Sequence, residues 1–261
     1  MTMTGLLTPA EYLEHLRAEG ERLERVALAA DLDRPVPTCP GWTVADAVVH
    51  TGEVFAHKAS VLRSGRRPDE GEWPLVPADG ESPVSWYRGR FDELMAELVA
   101  REPGEPVWTW DDHDQTAGFW YRRMAQEVAV HRVDVEDGAG VPVTPLPADL
   151  AEDGVDELLT AFISGDWSGD DDDPSLHGQH LQIIAGSACW TVTLDRGSLH
   201  AARTSRETSP QAAPEAWIRG EDPQRVLLYL WGRRPADGLD RGGDAAALEG
   251  LRRRLHLVTS D

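Results

Sequence analysis

The chain lacks asparagine entirely and has a single lysine, Lys58, among its 25 basic residues. Both amino acids have A-rich codons, so their scarcity beside abundant alanine, arginine and aspartate indicates a GC-rich genome and favours an actinobacterial source. Cysteine is also scarce, since Cys39 and Cys189 lie far apart and form no CxxC pair. A structural disulfide is therefore not expected, and the pattern predicts a reduced, cytoplasmic protein.

Long apolar runs and positive charge are also in short supply. No apolar run approaches the roughly 18–20 residues that a membrane span requires. Residues 1–5 have neither the basic region nor the apolar stretch of a signal peptide. The 25 basic residues face 46 acidic ones, which gives a formal charge of -21 and a pI near 4.7. Such a surface repels phosphates and anionic lipids, so neither nucleic acid nor a membrane is an expected partner.

The composition is otherwise that of a folded protein. Of the 261 residues, 41% are hydrophobic and 27% are charged, which excludes the disordered and low-complexity classes. The hydrophobic period changes at an acidic segment, so the expected class is α plus α+β in three regions. These are a helical bundle at residues 1–165, an acidic linker at 166–176 and a small α+β domain at 177–261. The aspartate run in the linker lacks the spacing of an EF-hand loop and is interpreted as a solvated spacer.

Helical periodicity dominates the first region. Thr8 and Thr43 are predicted N-caps, because Glu11 and Asp46 follow them at the three-residue spacing of a capping box. Four long amphipathic helices joined by short or medium loops predict a four-helix bundle, with a fifth helix after it. The expected bounds of the five helices are residues 8–30, 43–65, 83–101, 117–136 and 148–162.

Short strands with glycine-containing turns are predicted for the third region. The segment from Cys189 to Leu194 is expected to enter a hairpin at Gly197. The expected strands are residues 177–184, 189–194, 198–202 and 216–219, and two helices are expected at 223–231 and 244–255.

The residues with the clearest chemistry lie in the bundle. Glu127 and His131 are four apart on a predicted helix, so both side chains project from one face and can bind the same metal ion. A surface Glu/His pair is the simpler interpretation of that spacing alone, but the apolar neighbours favour an inward-facing pair. His50, amid apolar residues of the second helix, is either a core histidine or the third ligand. His57 and His113 are weaker candidate ligands.

Two histidines and one carboxylate leave coordination positions open, which is typical of catalytic rather than structural zinc sites. With no thiolate among the ligands, Zn²⁺ is the expected divalent metal, and Fe²⁺, Ni²⁺ and Mn²⁺ are alternatives.

Two segments are the most specific in the chain, namely residues 39–46 (CPGWTVAD) followed by His50, and residues 119–134 (FWYRRMAQEVAVHRVD). These segments resemble the maleylpyruvate isomerase family of mycothiol-dependent enzymes. Residues 190–192 (WTV), 220–223 (GEDP) and 230–233 (LWGR) resemble the small C-terminal domain of that family. The resemblance implies a DinB-like four-helix bundle that binds a metal through His50, Glu127 and His131, followed by a small sterol-carrier-like α+β domain. Gln126 departs from the histidine found there in many relatives, without affecting the ligand set.

The resemblance also implies a function. A low-molecular-weight thiol, mycothiol, would lose its proton on binding the metal and attack an electrophilic small-molecule substrate. Loss of the thiol from a rotated adduct gives cis–trans isomerisation of a maleylpyruvate-like compound, whereas a stable adduct amounts to S-transfer. Two alternatives are a metal-dependent hydrolase that activates water and a non-enzymatic protein that binds a small apolar ligand. The chain is expected to be a monomer or a homodimer.

An anionic substrate would need positive partners in this acidic protein. Arg90, Arg122 and Arg123 are the candidate substrate-binding residues, and solvent exposure or salt bridging is the alternative for each. Asp134 is expected to be an acid on the helix surface. Trp42 is expected to serve core packing.

Overall fold

The computed structural model describes residues 7–69, 75–167, 169–204 and 213–259. The chain forms two compact units, Met1–Thr144 and Pro145–Asp261. The sequence analysis placed the boundary later, at residue 165. The structure assigns the fifth predicted helix to the second unit because it packs against a helix of that unit.

The described residues of the first unit form four long helices, as predicted. Helix α4 contacts α1 and α2, and α2 also packs against α3, so α4 is buried on most of its circumference. Tyr12, Phe55, Leu94 and Trp120 are among the largest buried side chains between the helices. The bounds are α1 Pro9–Ala29, α2 Val44–Ser64, α3 Pro83–Val99 and α4 Ala117–Ala139.

The predicted capping boxes are present at both α1 and α2. The Thr43 hydroxyl accepts from the Asp46 N–H at 3.2 Å, and an Asp46 carboxylate oxygen accepts from the Thr43 N–H at 2.7 Å. Helix α2 therefore begins directly after the Pro40-Gly41-Trp42 turn, where Gly41 has a φ of +87° that favours glycine. This start places His50 two turns into the helix.

The second unit begins with α5 at Ala148–Glu157, which continues as a π-helical turn at Leu158–Phe162. A six-stranded sheet follows, in the order β1-β4-β3-β2-β5-β6, and only β2 and β5 pair in parallel. Helices α6 (Pro223–Leu230) and α7 (Ala245–Thr259) pack against this sheet. The strands are β1 Gly165–Asp166, β2 His177–Ala185, β3 Ala188–Asp195, β4 Ser198–Thr204, β5 Ala216–Gly220 and β6 Asp240–Gly243.

Two features of the second unit differ from expectation. The short strands β1 and β6 were not predicted, because two residues and a glycine-containing DRGG segment show no alternation. The aspartates of the linker region are not a solvated spacer throughout, since Asp171 and Asp173 pair with Arg253 and Asp172 with Arg196. Ser168 lies outside the described residues. No described helix is long and apolar enough to cross a membrane.

Candidate metal centre

His50 of α2 and Glu127 and His131 of α4 come together in the first unit. Their potential ligand atoms all lie within 4.8 Å of one another, and no other such group of three His, Cys, Asp or Glu residues occurs in the described parts of the chain. Oε1 of Glu127 lies 3.5 Å from Nε2 of His50 and 3.3 Å from Nε2 of His131. Two ligands bonded to zinc at 2.0–2.1 Å with a tetrahedral angle lie about 3.3–3.4 Å apart. The two distances from Glu127 therefore match those between zinc ligands, and the two imidazole nitrogens lie within 4.8 Å of each other.

Exposure differs between the three donors. The His131 and Glu127 side chains are 9% and 13% exposed, whereas that of His50 is 32% exposed. Solvent and small molecules therefore reach the trio from the side of His50. A donor set that is buried on one side and accessible on the other suits a metal with a position left for a ligand.

Asp134 was expected on the helix surface, and this expectation is wrong. Its side chain is fully buried, and Oδ2 lies 3.0 Å from Nδ1 of His131, while Oδ1 accepts a hydrogen bond from the Thr38 hydroxyl at 3.3 Å. Helix α4 has no exposed face at this level, because α1 and α2 both cover it. Asp134 therefore favours the proton on Nδ1 of His131 and leaves Nε2 free to bind a metal.

Trp42 was expected to serve core packing, but it lies over the candidate ligands. Its ring centroid is 6.0 Å from that of His131, at an interplanar angle of 18°, and 4.9 Å from that of His50. The side chain is only half-buried. Trp42 thus forms an aromatic wall against both imidazoles, on the turn that precedes α2.

The three candidate substrate-binding arginines have different surroundings. Arg123 is 3% exposed and donates a hydrogen bond to Oε2 of Glu127 at 2.8 Å, so it orients the carboxylate whose other oxygen faces the histidines. Arg122 is half-buried. Arg90 lies on α3, which contributes none of the three donors, and its guanidinium pairs with Glu93 at 3.2 Å.

The charges of the trio shift its pKa values strongly. Burial alone would raise the pKa of Glu127, but His131, His50 and Arg123 hold it well below its usual range. Burial opposes the positive charge of His131, yet Glu127 and Asp134 raise its pKa to about 9. The cluster therefore favours positive charge at its centre, which a proton or a metal cation can supply.

The weaker candidate ligands lie outside the trio. His113 is exposed, and its backbone N–H donates to the Asp111 carboxylate at 2.9 Å. His57 lies two turns after His50, and burial together with Lys58 and Arg67 lowers its pKa to about 4. Its Nδ1 lies 3.1 Å from the Lys58 ammonium. Sequence reasoning gave Lys58 no role, although its being the only lysine marked it as unusual.

A separate cavity of about 210 Å³ lies within the second unit and bears on the ligand-binding alternative. Small-molecule pockets usually span about 300–1,000 Å³. The cavity is lined mainly by α6 and α7, including Tyr229, Leu251 and Leu255. This cavity is therefore smaller than a typical small-molecule pocket.

Comparison with solved structures shows that the fold is a known one. The crystal structure of a mycothiol-dependent maleylpyruvate isomerase superposes with a TM-score of 0.61 at 15% sequence identity, covering 93% of this chain and 98% of the other. The structure of a histidine-to-alanine mutant of that isomerase gives the same values. These likenesses confirm the predicted fold, a DinB-like bundle followed by an α+β domain.

No curated protein sequence matches the chain. Residues 13–136 match the family model described as the mycothiol maleylpyruvate isomerase N-terminal domain, and this region contains all three candidate ligands. The resemblance found in the sequence is thereby confirmed, since most of the helical unit matches the model of the mycothiol maleylpyruvate isomerase N-terminal domain.

Proposed function

We propose that the chain is a metal-dependent enzyme that uses mycothiol to attack an electrophilic small molecule. The outcome is cis–trans isomerisation of a maleylpyruvate-like compound or transfer of the thiol to the substrate. The observation that carries the proposal is the convergence of two imidazole nitrogens on one carboxylate oxygen, each at zinc-ligand spacing from it, in a cluster accessible from the side of His50. The match of residues 13–136 to the mycothiol maleylpyruvate isomerase model supports the choice of thiol.

Zn²⁺ is the proposed metal, because imidazole and carboxylate donors without thiolates suit it and its bonds match the observed spacing. When bound, the metal would lower the pKa of a coordinated thiol and so favour the nucleophilic thiolate. Asp134 keeps the Nδ1 proton on His131, and Arg123 holds Oε2 of Glu127, so that Oε1 stays aimed at the histidines. These contacts position the ligands before the metal binds.

The substrate side of the proposal concerns the arginines. Arg123 already bonds Glu127, so its proposed role is to orient the ligand carboxylate and to contribute positive charge to the pocket. Arg122 stays a proposed contact for an anionic substrate. Arg90 is the weakest of the three, since Glu93 already neutralises it.

Elemental analysis of the purified protein tests the metal site. We expect about one equivalent of zinc in the wild type and its loss in both His50→Ala and His131→Ala, since two remaining donors bind zinc too weakly to retain it. His57→Ala is the matched control, because it removes an imidazole from α2 outside the trio and should keep the metal. A wild type that stays metal-free when zinc is supplied would rule out the proposal.

Thiol dependence then separates the proposed reaction from metal-dependent hydrolysis. Maleylpyruvate is incubated with the zinc-loaded protein, with and without mycothiol, and the cis and trans isomers are followed by chromatography. Isomerisation or a thiol adduct only in the presence of mycothiol supports the proposal. Turnover of ester or amide substrates without any thiol would instead assign the open metal position to water.

A further inference from the structure

Lys58 is a positive charge without a carboxylate partner. Its ammonium lies 4.9 Å from the ring centroid of Trp120 and 3.1 Å from Nδ1 of His57. No carboxylate oxygen in the described ranges lies within 4 Å of it. Arg63, also on α2, pairs with two glutamates of α3 at 2.5 and 2.7 Å. A basic side chain without a carboxylate partner is unexpected in this chain, because acidic side chains outnumber basic ones, 46 to 25.

Lys58 lies on the same seam between α2 and α4 as the metal-ligand trio. It follows His50 by eight residues, while its aromatic neighbour Trp120 precedes Glu127 by seven, so the two helices run antiparallel along this seam. Seven or eight residues of helix span about 10–12 Å. Helical side chains lean toward the N-terminus of their helix, so Lys58 leans back toward His50.

The surroundings of Lys58 are costly for an unpaired charge. Burial lowers its pKa to about 8, Arg123 adds to the shift, and Glu127 and Glu53 oppose it. The ammonium is still the main form at neutral pH. Because it carries only donors, it donates to Nδ1 of His57, which fixes the His57 proton on Nε2. A half-buried cation held in this way is matched once an anion binds beside it.

We propose that Lys58, held against the buried Trp120 ring, forms a subsite that binds the carboxylate group of a ligand whose reacting carbon lies nearer the metal-ligand trio. Lys58 supplies the charge, and the fully buried Trp120 ring positions the ammonium through the cation–π contact. The catalytic meaning of this subsite rests on the proposed function, because it makes the electrophile the anionic partner of the thiol. Binding of the carboxylate itself requires neither metal nor thiol.

Amine acylation tests the subsite directly, because Lys58 is the only lysine side chain. Chelator-treated protein is acylated at low reagent concentration, with sodium maleate or with sodium chloride at equal ionic strength, and labelled peptides are quantified by mass spectrometry. Maleate at about ten times its Kd should slow labelling of Lys58 about tenfold, since the occupied amine is protected. Labelling of the N-terminal amine serves as the internal reference. Equal labelling of Lys58 in maleate and chloride would overturn the proposal.

Calorimetric titration with maleate measures how variants of Lys58 change the affinity of the proposed subsite. Lys58→Met should weaken binding about tenfold or more, because a hydrogen bond to a charged group contributes about 1.5–3 kcal/mol. Lys58→Arg should retain most of the affinity, and the matched control Arg63→Gln, which removes a paired charge from α2, should not change it. Unchanged affinity in Lys58→Met would also overturn the proposal, and the acylation result decides if that variant does not fold.

The two proposals fail in different ways. A protein that binds no zinc but whose Lys58 is protected by maleate would contradict the metal chemistry and keep the anion subsite. A protein that binds zinc through the trio, with Lys58 insensitive to maleate, would keep the proposed function and remove the subsite. Maleate without a thiol is therefore the probe that separates them.

Discussion

Helix α4 contributes to two charged clusters on different sides of the helix. Its adjacent residues His131 and Arg132 belong to different clusters. His131 faces α2 and the metal-ligand trio, whereas Arg132 faces α1. Arg132 donates to Glu19 and to Glu136, each at 2.6 Å, and to the Thr144 carbonyl at 2.7 Å. The Arg132 and Glu136 side chains are completely buried. Positive and negative groups alternate in this cluster, so each charge is paired with another residue of the chain.

The trio is arranged differently. Its two Nε2 atoms and one carboxylate oxygen converge on a single region, where each can offer a lone pair, and His50 keeps that region accessible. In the Arg132 cluster the charges are matched by one another, which ties α1 to α4. In the trio the donor atoms converge, as the proposed binding of a metal cation requires. The comparison separates a cluster that supports the fold from one suited to binding.

Disrupting the Arg132 cluster should have the largest effect, which is on the free energy of unfolding. Arg132→Met leaves the carboxylates of Glu19 and Glu136 buried without their shared cation, and removal of one partner from a buried ion pair costs about 3–5 kcal/mol. We expect a loss of this size in the free energy of unfolding, measured by urea denaturation. The variant should bind zinc as the wild type does wherever it is folded.

Arg22→Gln is the matched control for this change. Arg22 donates to Glu136 at 2.7 Å, but its side chain is 37% exposed, so water replaces the lost contact. Exposed ion pairs typically contribute about 0.2–1 kcal/mol. A loss in Arg132→Met no larger than that in Arg22→Gln would show that the buried cluster does not support the fold as described.

Glu127→Gln should have the next largest effect, on metal affinity. The substitution keeps the shape of the side chain but removes the only negative charge among the three donors. Outer contacts of metal ligands affect affinity about 10–100-fold, so loss of a charged ligand should weaken zinc binding at least about 100-fold, or ~2.7 kcal/mol. Competition with a fluorescent zinc chelator measures the affinity. Retention of wild-type affinity would remove Glu127 from the proposed ligands.

Local signals explain which parts of this comparison could be predicted from the sequence. The capping boxes at Thr8 and Thr43 and the apolar periodicity gave the helices within a few residues, since these depend on near neighbours. Glu127 and His131 form a pair because helical spacing alone brings them together. His50 joins them only through the packing of α2 on α4, and its selection depended on its apolar surroundings and on the family resemblance.

The remaining site features depend on non-local packing. Asp134 was interpreted as a surface acid because an isolated helix does not show that two other helices cover it. Trp42 reaches the imidazoles because the turn after Pro40 folds back to start α2. The role proposed for Lys58 depends on two contacts that the sequence does not show. Trp120, on another helix, lies beside the ammonium, and no described carboxylate pairs with it. Contacts between distant segments left no period or motif in the sequence.

Asp134→Asn should have a smaller effect on zinc affinity than Glu127→Gln. Asparagine can still accept a hydrogen bond from the Nδ1–H of His131 through its side-chain oxygen, so orientation is kept while the negative charge is lost. We expect zinc affinity to fall about tenfold, the lower end for such partners of a metal-bound histidine. Thr38→Val, which removes only the 3.3 Å hydrogen bond to Asp134, should have a lesser effect in the same chelator competition. Equal affinities of Asp134→Asn and the wild type would contradict the orienting role.

Acidification should produce the smallest effect and act on the Arg132 cluster. Burial alone would raise the pKa of Glu136, but the Thr144 N–H, Arg22 and Arg132 lower it below its usual value of 4.5. A carboxylate with a lowered pKa stabilises the fold above its unfolded pKa, and this contribution is lost as the pH falls through the folded one. In Arg132→Met, protonation instead relieves buried carboxylates that have lost their cation. The difference in unfolding free energy between wild type and Arg132→Met, measured in urea from pH 7 down to 3.5, should therefore shrink below about pH 4.5. A difference that stays constant over this range would mean that packing of the arginine stem, rather than its charge, accounts for the stability of the cluster.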